Sequence, residues 1–384
     1  MDSDNITSRS LLGILYGGVN FVLTFFQSLL LVPFILDFWT KENYGIWLAC
    51  YAFITLMRTI DAGHQTYIGN EFMKAYHEDI ARAKTILGSS IKIALFLGFL
   101  EVLIFLIVIY LEKENVLIGI STDGRLNIGL LCMLVSWWII GSAAGVLVKC
   151  FLPVGLFNRT IFWSIIYKLI EIALLIIAVT KGWEIWYILC VLSIVFFLYC
   201  VIALYDIKSK IPSIYPWWQY GSFKQGFKGF ITSLMLTFNG FIEQISSNGL
   251  LILIGNFAST AAIPVFTTLR TASNVFLQIT QITINPLVPD MVRFHTANEK
   301  HKIASIFNIN WFLLNFFLIL PLILVVPFLQ ELYELWTRDK LVFDKLLSYS
   351  SNLVMLSQPF LINRSVDISL FNSLIILFRI SLGS

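Results

Sequence analysis

Seven ionisable side chains lie deep inside apolar segments of this chain: Arg58, Asp61, Glu101, Lys168, Glu171, Glu243 and Arg270. A charge facing lipid at the centre of a bilayer costs about 3 kcal/mol on insertion scales, so these side chains must face protein or water. In such settings an arginine can bind phosphate oxygens by charge-assisted hydrogen bonds. A carboxylate there can carry a proton or bind a cation. The residue types therefore suit anion binding and ion transfer inside a membrane.

Two pairs among these residues, Arg58–Asp61 and Lys168–Glu171, have a spacing of three, which places both members on one helix face. Each could be a structural ion pair that lets polar helices pack. We favour that interpretation for Lys168–Glu171, because few polar residues surround it. We favour a functional role for Arg58–Asp61, since polar residues before and after it extend the same face.

The other deep acids differ in their sequence neighbours. Glu243 lies among polar residues and is either a proton carrier or an ionic partner of Arg58 or Arg270. Asp61 and Glu243 are thus the two candidates for ion coupling. Glu101 has only apolar neighbours, which favours a neutral packed acid.

Polar residues also form stripes along two apolar segments, each within about 80° of arc at ~100° per residue. Lipid does not tolerate such stripes, so they predict a hydrated interior of the kind that a transporter needs. The first segment carries Tyr16, Asn20, Thr24 and Gln27, and the eighth carries Thr267, Arg270, Asn274, Gln278, Gln281 and Asn285.

Composition predicts the elements that hold these residues. The chain is 58% hydrophobic and 13% charged, whereas soluble domains carry about 25% charged residues. Apolar stretches long enough to cross a bilayer recur throughout, so we predict an all-α polytopic membrane protein with about eleven transmembrane helices. The predicted spans are 11–37, 44–72, 85–111, 126–152, 160–180, 184–205, 229–254, 261–287, 303–328, 343–362 and 367–382.

Lysine and arginine are distributed unevenly between alternate loops. One set of loops holds fourteen of them and the other holds seven. By the positive-inside rule the richer set is cytoplasmic, which places the amino terminus in the cytoplasm. The longest loop divides the chain into a six-helix bundle at 1–210, a cytoplasmic linker at 211–228 and a second bundle of about five helices at 229–384. Aligning the first and second spans with the seventh and eighth suggests a parallel internal repeat.

Several other functions find no support in the sequence. It has no glycine-rich phosphate loop, no metal-binding spacing of cysteines and histidines and no recognisable catalytic triad. No basic run is dense enough for nucleic acid. We therefore expect no enzyme activity, no cofactor, no bound metal and no nucleic-acid partner.

Several short motifs resemble those of bacterial polysaccharide exporters. Near the start these are Val-Pro-Phe-Ile-Leu at 32–36, Tyr-Gly-Ile-Trp at 44–47 and Asp-Ala-Gly at 61–63. At the seventh and eighth spans they are Ile-Gly-Asn-Phe at 254–257, Val-Phe at 265–266, Leu-Arg at 269–270 and Pro-Leu at 286–287. The chain resembles the Wzx-type O-antigen flippases of the multidrug/oligosaccharidyl-lipid/polysaccharide exporter superfamily.

The resemblance implies a MATE-like V of two helical bundles around a central cavity lined by the first, second, seventh and eighth helices. It implies a flippase that moves undecaprenyl-diphosphate-linked oligosaccharide from the cytoplasmic to the periplasmic leaflet of the bacterial inner membrane by alternating access. Because such proteins usually have twelve or more spans, the chain is expected to be short at its carboxyl end, with the second bundle incomplete.

The resemblance also implies roles for particular residues. Arg58 and Arg270 would bind the diphosphate, and Asp61 or Glu243 would couple turnover to H⁺ or Na⁺. Membrane lipid and a polysaccharide polymerase with its chain-length machinery are the expected partners. The polar residues expected to bind sugar hydroxyls in the cavity are Asn20, Gln27, Asn274, Gln278 and Gln281.

Three other functions stay open. A drug/cation antiporter of the same superfamily would favour an acidic, aromatic pocket. A membrane polysaccharide polymerase or ligase would need a large periplasmic loop, and the longest outward loop predicted here has only about fifteen residues. A scaffold without transport activity is the third.

Overall fold

The computed structural model describes residues 15–111, 124–257, 260–271 and 328–341, and the single residues 308, 312 and 316. Within these residues the protein is all-helical, without a strand, as predicted. Six helices there are long and apolar enough to cross a bilayer, which is the pattern of a membrane protein with several spans. They are α1 Leu15–Phe38, α2 Lys41–Glu78, α3 Ile80–Tyr110, α4 Gly124–Phe151, α5 Asn158–Thr180 and α6 Ile185–Lys210. The count of eleven spans stays a prediction.

Three further helices follow. Helix α7 begins at Phe223 and continues from Gln244 through the π-helical turn Ile245–Gly249 into Leu250–Phe257. Helical residues 262–271 form α8, and Leu329–Thr337 form α9. The described residues up to Pro264 belong to one compact unit and those from Val265 onward to a second. The borders predicted for the two bundles stay a prediction.

The helices of the first unit extend past the apolar spans predicted for them. Helix α2, for example, runs from Lys41 to Glu78 rather than from 44 to 72. Its first turn is capped by the Thr40 hydroxyl, which accepts a hydrogen bond from the Asn43 backbone N–H at 3.3 Å. A hydropathy pattern identifies only the apolar part of a helix, whereas the helix itself continues through polar end turns and ends at its caps.

Proline shapes α1. The ring of Pro33 would clash with the carbonyl of the residue four positions earlier in a regular α-helix, and proline also lacks the N–H for that hydrogen bond. The turn before it, Phe26–Leu30, is π-helical, and regular α-helix resumes at Leu31–Phe38. The wider turn accommodates the proline without ending the helix.

Helix α7 packs against α2 and α3, so the first unit includes a seventh helix. At mid-length of α2, the backbone of Thr237 lies directly against Gly63, where a Cβ atom would have no room. Glycine thus permits close approach of the two helices, as small residues do in membrane proteins generally. This packing places α7 against the face of α2 that carries Gly63, on the side away from Arg58 and Asp61.

The segment between α6 and α7 is held against α3. The Lys92 ammonium donates a hydrogen bond to the Gly221 carbonyl at 2.8 Å, and the Ser222 N–H donates to the Ser89 hydroxyl at 3.1 Å. Gly221 has a φ of 79°, a left-handed conformation that favours glycine. Ile211 and Ile214 are buried in an apolar core at the same end of the unit. The segment is therefore a packed connection rather than a loose loop.

Candidate functional site

Four charged side chains lie near mid-length of three helices in the first unit. Arg58 and Asp61 lie on α2, Glu101 on α3 and Glu171 on α5. The exposed fraction is 0% for Asp61, 1% for Glu101 and 7% for Glu171, so all three carboxyl groups lie inside the protein. Arg58 interacts electrostatically with each of them. We call these four residues the charged cluster.

The guanidinium of Arg58 lies against two aromatic rings that also stack on each other, with their centroids 5.9 Å apart. Its Cζ atom is 4.8 Å from the ring centroid of Trp137 on α4 and 4.8 Å from that of Phe196 on α6. Such cation–π contacts are worth about 2 kcal/mol when desolvated. Within the described residues, the buried Nε and Nη2 atoms have no hydrogen-bond partner. The aromatic rings therefore hold the guanidinium in place, and two of its buried donors have no acceptor among the described residues.

Arg58 and Asp61 share a face of α2 but do not form a direct salt bridge with each other in the described structure. The arginine reaches the aromatic rings of α4 and α6. The Oδ2 atom of Asp61 instead accepts a hydrogen bond from Gln65 Nε2 at 3.0 Å and contacts the Ser142 hydroxyl on α4. The two charges thus interact electrostatically over more than the distance of a salt bridge. Arg58 has aromatic neighbours and Asp61 has polar ones.

Ser142 connects three helices. Its buried hydroxyl contacts Asp61 Oδ2 on α2 and the backbone carbonyl of Ala94 on α3, the latter at 3.0 Å. The π-helical turn Trp137–Gly141 immediately precedes it and also positions the Trp137 ring against Arg58. Such turns inside α-helices often occur at functional sites.

Glu101 has no polar neighbour of this kind. Both of its carboxyl oxygens are buried and have no hydrogen-bond partner among the described residues. The charged groups that act on it are Asp61 and Arg58. The interpretation of Glu101 as a neutral packed acid stays a prediction, and the structure adds its electrostatic interaction with Asp61 and Arg58 on the facing helix.

Lys168 on α5 connects to the polar stripe of α1. Its ammonium donates hydrogen bonds to Asn20 Oδ1 at 3.0 Å and to Thr24 Oγ1 at 2.6 Å. Glu171 interacts electrostatically with Lys168 but forms no direct salt bridge with it in the described structure. Asn20 thus lies against α5, and its role in sugar binding stays a prediction. Gln27 lies half-buried in the π-helical turn of α1.

His64 is a further buried polar residue on α2, to which the sequence assigned no role. Its exposed fraction is 0%, and its Nδ1 atom lies 3.4 Å from the Ser233 hydroxyl on α7. The Phe230 ring packs edge-on against the imidazole with the centroids 5.9 Å apart. These contacts indicate a residue that joins α2 to α7.

Arg270 belongs to the second unit. Its Cζ atom lies 6.0 Å from the ring centroid of Phe266, one turn earlier on α8. Nearby, the hydroxyls of Thr268 and Tyr333 lie 2.9 Å apart and connect α8 to α9. Arg270 therefore has an aromatic neighbour, as Arg58 does.

The remaining predicted site residues fall outside what the structure describes. Glu243 lies on α7, but its side chain is not among the described ones. The three residues of the eighth predicted span that were predicted to bind sugar hydroxyls also lie outside the described ranges: Asn274, Gln278 and Gln281. Their predicted roles stay predictions.

The sequence did contain a signal for Ser142, which sequence reasoning missed. It lies in the run Gly-Ser-Ala-Ala-Gly at 141–145, and small residues in a membrane helix mark places where other helices approach closely. The aromatic partners of Arg58 were harder to find, because Trp137 and Phe196 come from different helices and resemble ordinary apolar residues in the sequence.

The chain matches no protein-family model, no curated protein and no solved structure. Its function must therefore be inferred from the chemistry of the site. Within the described residues, no group of three or more histidine, cysteine or acidic side chains is placed to hold a metal ion. The chemistry that the site offers is that of one guanidinium with spare donors and three buried carboxyl groups.

Proposed function

We propose that the protein is a membrane transporter that moves an undecaprenyl-diphosphate-linked oligosaccharide from the cytoplasmic to the periplasmic leaflet of a bacterial inner membrane. The amino terminus lies in the cytoplasm in this proposal. The exporter-like motifs support the substrate class, and the long apolar helices support a membrane location. A polymerase with its chain-length machinery would then receive the repeat unit on the periplasmic side.

The observation that carries the proposal is the setting of Arg58. A guanidinium inside a helical bundle whose Nε and Nη2 have no partner among the described residues is suited to donate hydrogen bonds to the oxygens of a phosphate group. The cation–π contacts with the two rings keep the guanidinium in one orientation, so little side-chain entropy is lost when it binds a phosphate. Arg270 is proposed as a second cation for the diphosphate, and the polyprenyl chain would stay in lipid.

In an alternating-access cycle each of these polar groups has a separate role. The diphosphate binds the arginines, and the sugars bind the amide side chains of the polar stripes by hydrogen bonds. Asp61 or Glu243 couples the movement to an ion gradient. The hydrogen bonds from Lys168 to Asn20 and Thr24 hold α1 against α5 during the transport cycle.

One observation favours a second candidate, a drug/cation antiporter. The three acids of the charged cluster interact electrostatically with Arg58, which lies against Trp137 and Phe196, so the region is acidic and aromatic. A lipophilic cation is attracted by carboxylates and by ring faces. Arg58 already lies against both rings, however, and its positive charge opposes binding of such a cation there. We therefore place the anionic substrate first.

The experiment is a transport assay with purified protein in liposomes. The diphosphate-linked glycan is placed in one leaflet, and an impermeant lectin measures the fraction that reaches the other. We expect the wild-type protein to equilibrate the glycan and Arg58→Gln to lower the rate at least about tenfold, since charged hydrogen bonds are worth about 1.5–3 kcal/mol each. The control is Arg82→Gln, an exposed residue paired with Glu78 at 3.4 Å, which should transport normally.

Two results would contradict the proposal. Glycan movement no faster than in protein-free liposomes would exclude flippase activity. Movement of an organic cation without movement of the glycan would favour the antiporter.

A further inference from the structure

We propose that Asp61 and Glu101 form a proton-binding site in which the two carboxyl groups hold one exchangeable proton. The proposal deepens the proposed function and rests on it only for the use of the proton, namely coupling to transport. It includes Glu101, which the sequence favoured as a packed acid without a role.

The first argument is the balance of charges. Three carboxyl groups, those of Asp61, Glu101 and Glu171, interact with two cations, Arg58 and Lys168. Two carboxylates are thereby balanced and one is left over. An uncompensated charge inside a bundle of apolar helices is costly, and one added proton makes the five groups neutral together.

The second argument is the lack of hydrogen bonds. Both carboxyl oxygens of Glu101 and the Oδ1 atom of Asp61 are buried without a partner in the described structure. Glu171, in contrast, interacts with both cations. The surplus charge therefore belongs to the Asp61–Glu101 pair rather than to Glu171.

The contacts of Ser142 show how the site can respond to a proton. Its hydroxyl has one hydrogen but contacts two oxygens, Asp61 Oδ2 and the Ala94 carbonyl. The carbonyl can only accept, whereas a carboxyl group can accept when ionised and donate when protonated. With Asp61 ionised, Ser142 donates to it. With Asp61 protonated, the acid donates to Ser142, and Ser142 donates to Ala94.

Binding therefore converts one carboxylate and one proton into one carboxylic acid, with no other bond made or broken. The only rearrangement is rotation of a hydroxyl that joins α2, α3 and α4. Since α2 also carries Arg58, the charge that acts on the guanidinium changes as the proton enters or leaves. The proton and the substrate diphosphate are thus coupled through Arg58.

A proton fits the site better than Na⁺. A hard metal cation needs several oxygen ligands around one point. The described oxygens without partners here are those of one aspartate and one glutamate. The positive charge of Arg58 also acts on both acids and opposes a second fixed cation, whereas a proton becomes part of a neutral carboxylic acid.

The test is infrared difference spectroscopy of the full-length protein in lipid, titrated over pH. A protonated carboxylic acid has a C=O stretch that is separate from the carboxylate bands. We expect a titrating carboxylic acid signal in wild-type protein that Glu101→Gln, a near-isosteric variant, removes or shifts. Glu78→Gln, which changes an exposed acid, should leave the signal unchanged.

Ser142→Ala provides a second variant that retains both acids. It removes a donor to ionised Asp61, so the pH at half-signal should rise by about one unit or more. A signal that is the same in wild-type, Glu101→Gln, Asp61→Asn and Ser142→Ala protein would overturn the proposal. So would acceleration of transport by a Na⁺ gradient but not by a pH gradient. A Glu101-dependent signal in a protein that moves no glycan would uphold the proton site and reject the flippase function.

Discussion

Replacing Arg58 by lysine separates the charge of this residue from its geometry. The guanidinium lies 4.8 Å from each of two ring centroids and has spare donors at Nε and Nη2. Lysine keeps the charge but has no planar fork, so it cannot present two parallel donors to one phosphate. If lysine forms one of two such hydrogen bonds, the loss is about 1.5–3 kcal/mol. That corresponds to a roughly 10- to 150-fold lower apparent affinity for the diphosphate.

The assay measures the rate of glycan movement in liposomes against glycan density, so that affinity and maximal rate are separated. Trp137→Phe is the matched control, because it keeps a ring beside the guanidinium and all donors of Arg58. We expect a small effect from that change. An apparent affinity of Arg58→Lys within twofold of wild type would refute the assignment of Arg58 to the diphosphate and leave it a structural cation.

Three further predictions concern the first unit. Lys168→Met should lower the melting temperature by about 5 °C, because it removes the two hydrogen bonds that the ammonium donates to α1. The exposed control Lys181→Met should leave the melting temperature unchanged, and equal melting curves for the two variants would contradict the prediction. Gly63→Ala should destabilise the protein by about 1–3 kcal/mol or more, since the added methyl meets the α7 backbone, whereas Gly17→Ala has open space; thermal unfolding in detergent would show whether the two differ. A mild oxidant should cross-link Cys132 with Cys190, whose sulfurs lie 3.6 Å apart, with the loss of two titratable thiols that a reductant restores; unchanged thiol counts would speak against that contact.

The helices of the first unit could largely be predicted from the sequence. Long apolar stretches located α1 to α6, because a helix in lipid must satisfy its backbone internally and is apolar over the bilayer. The ends were less predictable. Helix α2 extends to Glu78 through polar residues that hydropathy excludes, and the connection 211–222 is packed by contacts to α3 that no local pattern reveals.

The candidate site was predictable in part. The cost of burying charge identified Arg58 and Asp61 as residues that must face the interior, and both lie inside the first unit. The contacts of Arg58 were not predictable. Its spacing of three from Asp61 suggested a pair within α2, whereas the rings that it contacts come from α4 and α6. The electrostatic interaction of Glu101 with Asp61 and Arg58 was not predictable either, because it depends on how α3 packs against α2.

The central claim is that Arg58, a half-buried guanidinium, binds an anion, and direct binding of the lipid carrier tests it. Native mass spectrometry of the purified protein would measure retention of undecaprenyl diphosphate against the uncharged polyprenol. We predict that wild-type protein and Arg82→Gln retain the diphosphate lipid preferentially, and that Arg58→Gln loses this preference. Equal preference in wild-type protein and Arg58→Gln would contradict the account.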